Sequence, residues 1–321
     1  MAIDQPYPRT GIDYPGTWPE FRGRFPNDTA CTAYLEQLRW GDGFRCPKCE
    51  SKKGWRTADG RWSCAGCARK VSVTAGTIFD GSRTSLQEWF TAAWYVTNQK
   101  YGVSALGLQR VLGLGSYQTA WTILHKLRTA MVRPGRDRLR GCVEADETYV
   151  GGVEEGVHGR ETHEKSIVVM AVEVLSPKGF GRVRMRRIPD VSGDSLISFV
   201  CDAVEPGAVV RTDGWSGYND LPKHGYTHKK VILSNTGDPA HVSMPGAHQV
   251  ASLLKRWLLG THQGSVTPAH LDAYLDEFTF RFNRRHSHRR GLLFYRLLEH
   301  AVVTAPTRYR PPRGEKRTHN L

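Results

Sequence analysis

Two acidic motifs hold residue types whose spacing suits chemistry on phosphate. They are Val143-Glu144-Ala145-Asp146-Glu147-Thr148-Tyr149-Val150-Gly151-Gly152 and Val209-Val210-Arg211-Thr212-Asp213-Gly214-Trp215. Each sets an aspartate at or near the end of an apolar, strand-like stretch. A hard divalent cation such as Mg²⁺ takes oxygen ligands and keeps positions open for phosphate and water, so carboxylates delivered from neighbouring strands suit it. A single strand-end aspartate is as readily a turn cap. Two of them in a strongly basic chain point to metal-dependent chemistry on a nucleic-acid backbone.

A second ligand set is sulfur. Cys46-Pro47-Lys48-Cys49 and Cys64-Ala65-Gly66-Cys67 flank a basic, aromatic, turn-rich segment from Glu50 to Ser63. Zinc prefers four thiolates in a tetrahedron, and each Cys-x-x-Cys turn offers two of them. The pattern predicts one structural Zn²⁺ held by Cys46, Cys49, Cys64 and Cys67. A dithiol redox pair does not explain two such pairs so close together. Cys31, Cys142 and Cys201 have no partners of this kind and read as small apolar residues.

Composition narrows the partner. The 45 Lys and Arg against 31 Asp and Glu give a formal charge of +14 over 321 residues, which favours a polyanion. That length allows two or three domains. The most apolar run, Ile167 to Val172, is far too short to span a bilayer. Met1-Ala2-Ile3-Asp4-Gln5 lacks the basic-then-apolar start of a signal peptide. Paired cysteines fit a reducing compartment better than a disulfide framework. The expectation is a cytoplasmic protein that meets nucleic acid and no membrane.

The elements that must position these residues follow from periodicity. Residues 1–26, rich in Pro, Gly and aromatics, read as an N-terminal extension. Asp28 then caps a short helix with Ala30, Tyr34, Leu35 and Leu38 at helical spacing. That helix and the cysteine pairs form a zinc ribbon over 27–80. Residues 84–131 read as helical, beginning with the stripe Leu86, Trp89, Phe90, Ala93 and Trp94 after Thr84 or Ser85. Ser104–Val111 and Tyr117–Met131 flank a short glycine-bearing turn, the outline of a helix-turn-helix in a region spanning 81–135. The second helix carries Gln118, Thr119, His125, Lys126 and Arg128, which can reach bases or phosphates. A plain helical hairpin has the same outline; the charge and the neighbouring ribbon favour DNA.

From Cys142 the pattern alternates. Cys142–Val150, Ser166–Val174 and Gly181–Ile188 read as consecutive strands, Ser192 starts a helix, and Ala208–Thr212 is a further strand. His248–Leu259 and Pro268–Arg284 are helical. Strand, strand, strand, helix, strand, then helices is the order of a ribonuclease H-like α/β fold, placed here over 136–300. The loop Gly151–Lys165 reads as mobile. Residues 301–321 read as a basic, disordered tail containing Arg308, Arg310, Arg313, Lys316 and Arg317.

In such a sheet Asp146 and Asp213 lie side by side. Glu144 shares the face of Asp146 two residues away, which makes it a supporting carboxylate. Trp215 and Tyr218 either stack on a splayed base or pack behind the site, with packing favoured. A third ligand should come from a following helix, and both His248 and Glu277 qualify. His248 and Lys255 are seven apart, about two turns, and so share one side of a helix. There His248 could ligate metal or orient water while Lys255 holds a phosphate. Glu277 sits among Tyr274, Phe278, Phe280 and Phe282, which read as packing residues.

Over nearly its whole length the chain resembles the bacterial insertion-sequence transposases of ISXO type, which join an N-terminal zinc ribbon to a DDE-type nuclease domain. The resemblance is carried by Leu38-Arg39-Trp40-Gly41-Asp42-Gly43-Phe44-Arg45-Cys46-Pro47-Lys48-Cys49, Ala75-Gly76-Thr77-Ile78-Phe79 and Asp146-Glu147-Thr148-Tyr149-Val150-Gly151-Gly152. It continues in Thr212-Asp213-Gly214-Trp215-Ser216-Gly217-Tyr218, Leu254-Lys255-Arg256-Trp257-Leu258-Leu259-Gly260-Thr261-His262 and Glu277-Phe278-Thr279-Phe280-Arg281-Phe282-Asn283-Arg284-Arg285. It implies a transposase that cuts double-stranded DNA at the inverted-repeat ends of its element and joins the free 3′ hydroxyl to target DNA. A homo-oligomer in a synaptic complex is implied as well.

DDE enzymes usually carry Glu on the helix after the second Asp, often with Lys seven residues on. Here His248 stands seven before Lys255. Branches of the family tolerate His there, so the resemblance favours His248 over Glu277. It implies two-metal phosphoryl transfer, with Asp146 bridging both ions, Asp213 holding one and His248 the other, about 3.5–4 Å apart. Mg²⁺ is the expected cation, or Mn²⁺ because imidazole supplies less charge than carboxylate. Arg256, beside Lys255, joins Gln118, Thr119, Lys126 and Arg128 as an expected DNA contact.

Two other classes share part of the pattern. A zinc-ribbon DNA-binding protein, including an inactive descendant of a transposase, needs only the first half and leaves the acids unexplained. A ribonuclease H-like nuclease or resolvase keeps the acids but does not predict the ribbon and helix-turn-helix ahead of them.

Overall fold

A computed structural model of the chain describes residues 7–133, 135–152, 165–231, 243–264 and 266–307. The loop expected over 151–165 and the tail expected over 301–321 lie for the most part outside the described residues. In chain order the elements begin with α1 (Trp18–Arg24), α2 (Asp28–Trp40), β1 (Gly54–Arg56), β2 (Trp62–Cys64) and β3 (Lys70–Val71). Next come α3 (Leu86–Asn98), α4 (Ala105–Leu112), α5 (Tyr117–Ala130), β4 (Cys142–Val150), β5 (Ser166–Val174) and β6 (Phe180–Ile188). The last are α6 (Gly193–Ala203), β7 (Val209–Thr212), β8 (Thr227–Lys230), α7 (Pro245–His262), α8 (Pro268–Phe282) and α9 (Arg290–Ala301).

They form two compact units. The first comprises Met1–Gln99, Ala105–Ala130 and Arg289–Leu321; the second comprises Lys100–Ser104 and Met131–His288. No helix of the described residues is long and apolar enough to cross a membrane.

The first unit is mainly helical and carries a small antiparallel sheet of order β1-β2-β3. Its helix starts are set by side-chain caps. Ser85 Oγ accepts the Glu88 amide at 3.1 Å while Glu88 returns a carboxylate to the Ser85 amide at 3.0 Å, closing a capping box at α3. The cap of α2 is Asn27, whose side chain accepts the Ala30 amide at 3.0 Å. The sequence assigned that role to Asp28. Asp28 instead lies inside the first turn and serves the other helix, accepting the Leu86 and Gln87 amides at 3.2 and 2.9 Å. The core is aromatic: Phe21, Phe25, Phe90, Trp94 and Phe294 meet with ring centroids 4.9–5.8 Å apart. Phe21 and Phe25 come from the segment read as an extension, and Phe294 comes from α9. Gly291 lets α9 approach the chain there, since a Cβ at that position would stand 1.8 Å from the Pro15 carbonyl oxygen.

The second unit is a mixed α/β layer structure around a five-stranded sheet of order β6-β5-β4-β7-β8. β4, β5 and β6 pair antiparallel, while β4–β7 and β7–β8 pair parallel. One face of the sheet packs Val143, Ala145, Val169 and Ala171 against Leu196, Phe199 and Val200 of α6. The other packs Val168, Met170, Val172 and Met185 against Val250, Leu254 and Leu258 of α7 and Leu271, Leu275 and Phe278 of α8. Successive strand residues point to opposite faces. With Val143 and Ala145 turned to α6, Glu144 and Asp146 turn to α7.

Candidate active site and zinc centre

In the first unit the four cysteines converge from two turns of the same build. Glu50 N–H donates to Cys46 O and Ala68 N–H to Cys64 O, both at 2.9 Å. Those two residues take left-handed backbone, with φ 58° and 55°, a conformation that costs a non-glycine residue about 1–2 kcal/mol. The four sulfurs lie within 4.8 Å of one another, with Cys46–Cys67 at 3.7 Å and Cys49–Cys64 at 3.5 Å. A tetrahedral centre with Zn–S bonds of about 2.3 Å sets its sulfurs about 3.8 Å apart. The donor set and its spacing therefore fit zinc. Burial pushes the Cys64 thiol up, but the Cys67 and Gly66 amides turned towards its sulfur, together with the Cys49 and Cys46 thiols, bring it down to about 6, while the Cys64 and Cys67 thiols push Cys49 up to about 12. Phe44 stacks on Trp62 beneath, ring centroids 5.0 Å apart.

Also in the first unit, α4 and α5 form a helix pair turned at Gly113, whose φ of 64° suits glycine. Of the side chains expected to meet DNA, Gln118 is exposed and Thr119 half-buried at the start of α5. Lys126 turns inward, with its Nζ 3.5 Å from Asp80 O and over the Trp89 ring, and burial lowers its pKa. Arg128 does not lie on a DNA-facing surface. It is 2% exposed, because it shares the inward face of α5 with Leu124 and Leu127. His125 stacks on Trp121 at a centroid distance of 3.6 Å.

In the second unit the parallel register of β4 and β7 pairs Glu144 with Arg211. Two residues beyond that pair come Asp146, still within β4, and Asp213, the first residue past the end of β7. Asp146 Oδ1 accepts the Glu147 amide at 2.9 Å, and Asp213 Oδ1 accepts the Trp215 amide at 3.0 Å. Both carboxylates are half-buried. The Thr212 hydroxyl, buried beside Asp213, donates to the Asp213 carbonyl at 2.8 Å and lies 2.8 Å from His228 Nε2. Behind the sheet Trp215 Nε1 donates to Val191 O at 2.9 Å, and Tyr218 OH donates to Glu147 at 3.1 Å. Glu147 thus belongs to the face opposite Asp146.

The two candidates for the third position differ in surroundings. His248 lies half-buried in the first turn of α7, which packs on β4 and β5; Lys255 and Arg256 are exposed further along that helix. Glu277 is 1% exposed and pairs with Arg281 one turn later, with Oε1 2.7 Å from Arg281 Nη2, on a helix packed against β6. Two carboxylates and an imidazole suit a hard or borderline divalent cation. Among the described residues, the four cysteines are the only group of three or more His, Cys, Asp or Glu drawn close enough to hold an ion.

Sequence reasoning passed over Arg211, which donates to Glu144 at 3.2 Å and to Ser243 O at 2.7 Å. A signal was present. Glu144-Ala145-Asp146 and Arg211-Thr212-Asp213 carry opposite charges at the same offset before each aspartate.

Comparison with known proteins gives two family matches. Residues 138–283 match the ISXO2-like transposase domain, and residues 26–70 match the transposase zinc-ribbon domain. The chain is also 26% identical over 279 residues to an uncharacterized protein in transposable element ISH50 of Halobacterium salinarum, covering 80% of this chain and 91% of that protein. By its pairing of a transposase zinc ribbon with an ISXO2-like transposase domain, the chain belongs to the ISXO2-like insertion-sequence transposases.

Proposed function

We propose that the protein is a DNA transposase that cleaves the double-stranded ends of its insertion sequence and joins them to target DNA. Its catalytic unit is ribonuclease H-like, and Asp146, Asp213 and His248 hold Mg²⁺ or Mn²⁺. The observation that supports the reading is the parallel pairing of β4 with β7, whose last pair, Glu144 with Arg211, stands two residues before each aspartate. The element order and the mixed sheet, three antiparallel strands followed by two parallel ones, support the fold assignment. A cation held there by Asp146, Asp213 and His248 would supply activation of the attacking oxygen and stabilisation of the leaving one.

The chain's own residues do the rest. Asp146, from within β4, and Asp213, from the turn that follows β7, supply anionic oxygen. Lys255, exposed two turns beyond His248, takes a DNA phosphate, and Arg256 extends that contact. Gln118 and Thr119 at the start of α5 read the element's ends, acting in a homo-oligomeric complex that holds both ends.

The test is a strand-transfer assay with the DNA flanking the gene and either cation. Joined products are expected, and His248→Ala should be severely impaired while His248→Glu recovers activity with Mg²⁺. Nicked ends without joined products would reduce the reading to a nuclease. Absence of both from folded wild-type protein would overturn it.

A further inference from the structure

Helix α7 begins without a cap of its own. Its N-cap residue Met244 makes no side-chain capping bond, and Pro245 at the first helical position has no N–H to satisfy. The amides of Gly246 and Ala247 still need acceptors. They find them on the sheet. Glu144 Oε2 accepts both, at 2.7 and 3.0 Å, which are the two donors that an N-cap side chain ordinarily serves. Its other oxygen accepts from Arg211 at 3.2 Å, and Arg211 donates onward to Ser243 O at 2.7 Å. Glu144 is 0% exposed. The approach is tight enough that a Cβ on Gly246 would stand 2.9 Å from Oε2.

This clamp joins the two halves of the proposed site. Glu144 precedes Asp146 by two residues on β4, and Ala247 immediately precedes His248, the first residue of α7 with an in-helix amide bond, 3.3 Å to Met244 O. We infer that Glu144, paired with Arg211, is a positioning residue that fixes His248 relative to Asp146 and thereby sets the affinity for the divalent cation. The inference rests on the reading of Asp146 and His248 as ligands. With both oxygens bonded inside the protein, Glu144 is a support for ligands and not one of them. Anionic acceptors at a helix start gain from the helix dipole, and charge-assisted bonds are about twice as strong as neutral ones. Groups that orient metal ligands in this way typically cost about 10–100-fold in metal affinity or activity when replaced.

The test is Mn²⁺ binding by the zinc-loaded, full-length protein, followed by electron paramagnetic resonance. The four proteins needed are wild type, Glu144→Gln, His248→Ala and the double variant. Glu144→Gln is expected to weaken binding about 10–100-fold and His248→Ala at least as much. The double variant should bind no more weakly than His248→Ala alone, because the carboxylate acts through the imidazole. Wild-type affinity in Glu144→Gln, even with a lowered melting temperature, overturns the inference and leaves the ligand reading standing. Fully additive losses do the same. Wild-type affinity in His248→Ala overturns the ligand reading, and the inference with it, since nothing is then left to position. Should Glu144→Gln fail to fold, Gly246→Ala presses a methyl on the same oxygen from the helix side and is judged by the same outcomes.

Discussion

The sulfur centre takes its four donors from a stretch running only from Cys46 to Cys67, whereas the proposed carboxylate site would draw on Asp146 of β4, Asp213 just past β7 and His248 of α7. The first is built from two copies of one local turn. The second depends on strand register and on a cap that Glu144 supplies to a helix 102 residues away. The local site has little else to hold it: Phe44, Cys46, Cys64 and Val71 make up its buried cluster. A core that small leans on its metal. The distributed site sits on a sheet packed on both faces, so its frame exists before any cation binds.

The largest effect should come from taking metal out of the ribbon. Structural zinc in small thiolate sites contributes about 10–16 kcal/mol of apparent binding energy at neutral pH. Cys64→Ser is expected to lose the zinc, about one ion per chain, and to open residues 44–71 to proteolysis while the second unit keeps its secondary structure. An ordered, metal-free ribbon would break the contrast. A smaller effect is expected at Glu277. Glu277→Gln removes the charge from a buried pair, which should cost roughly 3–5 kcal/mol in denaturant unfolding while the folded protein still cleaves DNA. A stable but inactive Glu277→Gln would move the third ligand from α7 to α8. The smallest effect is at Asp28, whose carboxylate accepts two amides at the start of α3. Asp28→Ala should cost about 1 kcal/mol, because Ser85 still caps that helix; an unchanged unfolding midpoint would show the contact to be idle.

What was legible in the sequence follows the same divide. The Cys-x-x-Cys turns, the Ser85 cap and the strands Cys142–Val150 and Ser166–Val174 are written in neighbouring residues, and the structure forms them where the pattern put them. β8 was not legible, because Thr-His-Lys-Lys has no apolar alternation and becomes a strand only by pairing with β7. The aromatic residues of α1 gave no sign that they meet α9 in one core, since the partner lies at the other end of the chain. Arg128 read as a DNA contact because helical charge usually faces outward, yet its face of α5 packs inward. Glu144 was recognised as sharing a face with Asp146, but its bond to the start of α7 depends on a contact that no local pattern encodes.

The central claim is that Asp146 and Asp213 together make the site of DNA cleavage and joining, and it is tested most directly by strand transfer with Asp146→Asn and Asp213→Asn. Each substitution keeps the side chain's shape and removes one anionic donor. With end DNA and Mg²⁺ or Mn²⁺, both variants should fall to background in cleavage and joining while binding the ends as tightly as wild type. Joining within a few-fold of wild type in either variant would contradict the account.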